Sequence, residues 1–115
     1  MPAKNKPFHP MEVLTGIKTF KIKQQSLEKD GLHGCVEFNK ALLTIDPHQS
    51  IEDYKGTLLH EVCHIGFDMY GLGDDDHIPQ LGNEYLTTVT SNMIQQLATL
   101  NPELFKYMLG TSQKI

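Results

Sequence analysis

Residues 50–71 read SIEDYKGTLLHEVCHIGFDMYG, and their spacing predicts a helix from about Ile51 to Tyr70. Ser50 with Asp53 three residues on resembles a capping box, with Asp in place of the usual Glu. Gly71 suits a C-terminal stop. Ile51, Leu58, Val62, Ile65 and Met69 recur at helical spacing and form an apolar stripe. His60 and His64 fall on the other side, with Gly56 and Thr57. Gly66 should cost about 1 kcal/mol against Ala in mid-helix, so close packing or substrate access must favour it.

Within this helix stands His60-Glu61-Val62-Cys63-His64. Two imidazoles four residues apart share one helical face and can grip one Zn²⁺. Glu61 sits one position round, placed to take a proton from a metal-bound water. Chance alone yields such a pentapeptide in about 2% of shuffled chains of this composition, so context must decide its meaning. The bland alternative is a surface-facing trio with no metal. Cys63 lies inside the pentapeptide but points away from the histidines, toward an apolar role.

Working outward, the N-terminal ten residues are rich in Pro and Lys and read as a loose arm. Pro10–Thr15 allows a short helical turn, which Gly16 ends. Ile17–Gln24 alternates as a strand does. Ser26–Gly34, with Asp30-Gly31 and Gly34, reads as turn or loop. Cys35–Asn39 and Ala41–Ile45 form either a hairpin or one bent strand, stopped by Asp46-Pro47. Downstream, Gly71–Gly82 is a polar connection holding Asp74, Asp75, Asp76 and His77. Its three acids do not match a calcium-binding loop and read as solvated. Asn83 is placed to cap a second helix reaching about Leu100, with Leu86, Val89, Met93 and Leu97 as its buried stripe. Asn101-Pro102-Glu103 restarts a short helix that Leu104, Phe105, Met108 and Leu109 can pack down.

The bulk properties bound the function classes. A length of 115 residues fits one domain over 1–115, large enough for a core without disulfides. Hydrophobic content of 39% and charged content of 21% are ordinary for a soluble protein. A formal net charge of -4 argues against nucleic acid as partner. The two cysteines, Cys35 and Cys63, show no Cys-x-x-Cys pattern, which suits a reducing compartment. No run approaches 18 apolar residues and the start lacks an apolar signal core. The expectation is a soluble cytoplasmic protein without a membrane partner. His9, His33 and His48 have no evident partners.

A catalytic zinc needs three protein ligands and an open position. The metzincin solution is excluded, because Phe67 and Tyr70 stand three and six residues after His64. Asp68, Asp74, Asp75, Asp76, His77, Glu84 and Glu103 are the remaining donors downstream. Glu84 is the strongest, opening the second helix in the string Asn83-Glu84-Tyr85-Leu86-Thr87-Thr88. As an acid in a first turn it also complements the helix dipole.

H-E-x-x-H followed by nineteen residues and a Glu resembles the gluzincins, the thermolysin-like zinc peptidases. Their Glu lies in an N-E-x-x-S-D string on the following helix. Asn83 and Glu84 match, Thr87 replaces Ser, and Thr88 stands where the Asp would be. That Asp would orient a zinc-bound histidine, so Thr88 or Asn92, one and two turns beyond Glu84, becomes the candidate outer support. Thr57-Leu58-Leu59-His60 and Asn101-Pro102-Glu103-Leu104 also resemble the very small zincin-like metallopeptidases of phage and bacterial genomes, over roughly Leu42 to Leu109.

The resemblance implies a compact α+β zincin-like domain, a small antiparallel sheet packed on the active-site helix with the Glu84 helix completing the cradle. It implies Zn²⁺ held by His60, His64 and Glu84, with Glu61 as general base in peptide hydrolysis. Tyr85, Tyr107, His77 and Tyr70 are candidates to assist the oxyanion, and sequence does not choose among them. Cys35–Ile45 is the stretch on which a peptide substrate would add as a strand. So small a chain fits a narrow protein target better than general digestion. The alternative is a catalytically silent zincin-like binding or regulatory protein with a bound zinc.

Overall fold

Both ends of the helix read from Ser50 to Gly71 are capped, although Ser50 caps alone and the Asp53 side chain makes no reciprocal bond with a described residue. In the computed structural model, which describes residues 9–72 and 83–110, helix α1 (Ile51–Met69) begins where Ser50 Oγ accepts the backbone N–H of Asp53 at 3.1 Å. At its end Gly71 takes φ 75°, a left-handed conformation open to glycine. Its N–H then reaches the Asp68 carbonyl at 3.0 Å, and the Leu72 N–H reaches that of Phe67 at 2.8 Å. This is a Schellman closure, sealed by the buried side chain of Leu72. Tyr54, Leu58, Val62 and Ile65 form the buried face, while Ile51 is 48% exposed and takes no part in it.

The chain is α+β, and its described residues form four strands in one mixed sheet and three α-helices. The strands are β1 (Glu12–Leu14), β2 (Thr19–Gln24), β3 (Gly34–Glu37) and β4 (Leu42–Ile45), in the spatial order β1-β2-β4-β3. The pairs β1–β2 and β3–β4 are antiparallel, as hairpin connections require. The pair β2–β4 is parallel, so the expected purely antiparallel sheet is corrected. The reason is topological: β3 turns back on the outside, which returns β4 beside β2 in the same direction. Alternation gives β2 its two faces, with Phe20 buried and Lys21 and Lys23 exposed.

Pro10–Thr15 contains strand β1 and no helical turn. So short a stretch cannot repay helix nucleation, whereas here Val13 is fully buried opposite Phe20 and Met11 C=O accepts from Ile22 N–H at 2.9 Å. The outer edge of β1 is closed by Asn101. Its side-chain amide accepts from Leu14 N–H at 2.7 Å and donates to Leu14 C=O at 2.8 Å, mimicking a neighbouring strand. It also donates to Leu97 C=O at 2.9 Å. Asn101 thus stands at the expected N-cap of α3 (Pro102–Leu109), but its side chain makes no cap bond there.

Helix α2 (Asn83–Leu100) buries Val89, Met93 and Leu97, with Leu86 half-buried. It crosses α1 at Gly66, where a Cβ would lie 2.4 Å from Met93 Cγ and Sδ and 3.0 Å from Leu97 Cδ1. Close packing therefore accounts for this glycine. From α3, Leu104, Phe105 and Met108 join the core, whereas Leu109 is 63% exposed. The core is completed by Phe20, Leu43 and Ile45 from the sheet. Helix α1 packs on β3 and β4 and against both other helices. Among the described residues no helix is long and apolar enough to cross a membrane. The expected arm over 1–10 lies outside the described residues apart from His9 and Pro10, and the 73–82 connection is outside them entirely.

Candidate functional site

One turn of α1 separates His60 from His64, and both rings lie on the exposed side of the helix. Their Nε2 atoms are 3.2 Å apart and the rings meet edge to face, centroids 4.8 Å apart at 82°. At that separation either one nitrogen carries a proton for the other, or both lone pairs serve one cation. The donor chemistry of the pair therefore fits a metal.

Glu61 behaves differently from its neighbours. It is 7% exposed and has no hydrogen-bond or ion-pair partner among the described residues. Burial raises its carboxyl above the ordinary range, and the nearby His64 and His60 oppose that shift. The side chain is seated by Gly34 of β3. A Cβ on Gly34 would lie 2.9 Å from Thr57 Cγ2, 3.1 Å from Glu61 Cγ and 3.4 Å from Glu61 Oε2. Only the missing side chain lets strand and carboxylate approach this closely. Sequence reading placed Gly34 in a turn. Its signal was an isolated glycine at the mouth of a strand, which marks close backbone approach.

Beside Glu61, β3 offers a backbone edge that no described strand pairs. Ala41 and Ile45 C=O accept from β2 at Lys21 and Gln25, and Asp46 N–H donates to His33 C=O. Odd residues of β4 thus face β2 and even ones face β3. Cys35 and Glu37, opposite Thr44 and Leu42, turn their peptide groups inward. Those of Gly34 and Val36 are left pointing outward. Burial raises the Cys35 thiol, helped by Glu37, Glu61 and Asp30, and burial alone raises that of Cys63. Neither is a reactive thiolate at neutral pH.

A groove of about 870 Å³ runs from His60 and Glu61 along α1 to Glu52, and its other wall is Gly31–Gly34 with His48 and Gln49. His33 and His48, which had no evident partner in sequence, both line it. His48 Nδ1 lies 3.2 Å from Asp46 Oδ1. The Leu27 and His48 backbone N–H groups, then the His48 ring, hold the Asp46 carboxyl below its usual range.

The remaining described candidates do not gather with this pair. Glu84 is exposed in the first turn of α2, and among the described residues no three His, Cys, Asp or Glu side chains gather to hold a metal. The crossing at Gly66 and Met93 lies nine residues from Glu84, about 13 Å of helix. Asn92 lines a separate groove with Gly16 and Gln96, and Thr88 is exposed on the same helix. Tyr107 packs edge-on against Tyr54 under the Lys55 ammonium, on the core side of α1. Tyr70 Oη donates to Gln96 Oε1 at 3.1 Å. Tyr85 is half-exposed on α2. His77 and the side chain of Asn83 lie outside the described residues. No protein-family model, curated protein or solved structure matches this chain.

Proposed function

We propose that the chain is a zinc-dependent metallopeptidase of gluzincin type acting on a narrow protein target inside a cell. The observation that carries this reading is the close His60–His64 nitrogen pair beside Glu61, a largely buried residue whose carboxylate takes no hydrogen bond from a described residue. His60 and His64 would hold the metal through Nε2, and Glu84 is the candidate third donor by its place in the sequence. Bound zinc would supply Lewis acidity at the scissile carbonyl and lower the pKa of water.

The chain's own groups do the rest. Glu61 takes the proton of the attacking water on a carboxylate oxygen and returns it to the leaving amine. Its burial makes it a stronger base than an exposed glutamate, and the Gly34 seat limits its rotamers. The outward peptide groups of Gly34 and Val36 would receive an extended substrate as an added strand. That strand would run directly past Glu61.

A second reading, a silent binding or regulatory protein, is favoured by one fact: no third ligand side chain gathers with the two histidines among the described residues. Mass-spectrometric profiling of a peptide library with wild type and Glu61→Gln separates the two. Zinc-dependent cleavage lost in Glu61→Gln supports the peptidase. Cleavage unchanged in the variant refutes the mechanism.

A further inference from the structure

The groove carries information about what enters it. From His60 it follows α1 backwards through Thr57 and Gly56 to Asp53 and Glu52. Gly56 has open space around it, so a chain can lie against the helix at that point. The groove lining includes three carboxylates, of Glu52, Asp53 and Glu61, and no lysine or arginine. Glu52 and Asp53 are exposed, and neither is engaged in a salt bridge with a described residue. Asp53 uses only its backbone N–H at the Ser50 cap, which leaves its side chain to the groove. At the other end Glu61, more than nine-tenths buried and without a hydrogen-bond partner among the described residues, opens into the same space.

We infer that this groove selects an extended polypeptide bearing a lysine or arginine about three residues from the position at His60, the basic side chain being received by Glu52 and Asp53. The spacing follows from geometry. Seven residues of helix between Asp53 and His60 span about 10 Å, and an extended chain advances about 3.3 Å per residue. The inference rests on the peptidase reading for what happens at His60, but binding of the basic side chain does not depend on cleavage.

The test uses two fluorescein-labelled decapeptide mixtures, identical except for lysine or glutamate fixed at the fifth position. Anisotropy is measured against wild type and against Glu52→Gln/Asp53→Asn, whose neutral side chains keep the same shape. The expected result is about five- to tenfold tighter binding of the lysine mixture to wild type. The double variant should bind both mixtures alike, with an unchanged circular dichroism spectrum and a melting temperature lowered only by the loss of two first-turn acids from α1. Equal affinity of both mixtures for wild type, no binding of either at millimolar protein, or a preference that survives in the variant would overturn the inference. Lysine-selective binding without cleavage would sink the peptidase reading and leave this one standing. Cleavage without lysine preference would do the reverse.

Discussion

Two glycines in α1 make opposite predictions from one substitution. In a helix interior Gly→Ala ordinarily stabilises by about 1 kcal/mol, because the glycine loses more backbone entropy on folding. Gly56 is surrounded by open space, so Gly56→Ala should collect most of that gain, about 0.5–1 kcal/mol. Gly66 is the crossing point with α2, and a methyl there would lie 2.4 Å from two atoms of Met93 and 3.0 Å from Leu97 Cδ1. Met93 and Leu97 are each 1% exposed, so the methyl must displace buried side chains. Overpacking of this kind costs about 1–3 kcal/mol, which offsets or exceeds the helix gain. Gly66→Ala should therefore gain nothing and destabilise by up to about 2 kcal/mol, lowering Tm by up to about 8 °C, while Gly56→Ala raises it by about 2–4 °C. Urea and thermal denaturation of both variants beside wild type read this directly. A Gly66→Ala protein as stable as Gly56→Ala would refute the packing argument, and with it the crossing of α1 and α2.

Asn101→Ala removes the amide that closes the β1 edge and leaves Leu14 N–H, Leu14 C=O and Leu97 C=O without it; urea denaturation should show a loss of about 2–4 kcal/mol. Asp46 has a folded pKa below its ordinary value, so its contribution is present above about pH 4 and lost as pH falls through the folded pKa. Asp46→Asn should therefore lose stability at pH 7 and show a flatter acid limb than wild type in melts from pH 2 to 6. Gly34→Ala places a methyl against Thr57 and Glu61. It should abolish cleavage while zinc still binds at His60 and His64, which paired cleavage and metal-binding assays can show; full activity would mean that Glu61 needs no seat.

Local signals in the sequence translated well where the chain settles its own structure. Ser50 and Gly71 bracket α1 because caps act within a turn, and the His60–His64 pair follows from helical period alone. What depended on long-range packing was less legible. Pro10 suggested a helical start, but Val13 is claimed by the sheet core. Asn101 carried a capping signal, yet its amide serves Leu14, 87 residues away in sequence. The nineteen-residue spacing to Glu84 counts residues and not the angle at which α2 crosses, and the close approach occurs at Gly66. Gly34 showed only as an isolated glycine beside a strand, and the His33–His48 wall showed not at all, because a residue's role against another element is not encoded in its neighbours. The β3–β4 hairpin could be read, but its insertion beside β2 as a parallel pair is a property of the whole topology.

The central claim is that His60 and His64 jointly hold a metal. Calorimetric titration of chelator-stripped protein with Zn²⁺, repeated on His60→Ala and His64→Ala, tests it most directly. Wild type should take up about one zinc per chain, and each variant should lose at least tenfold in affinity. A fully folded wild-type protein that takes up no zinc, or that binds it equally well without His60, would contradict it.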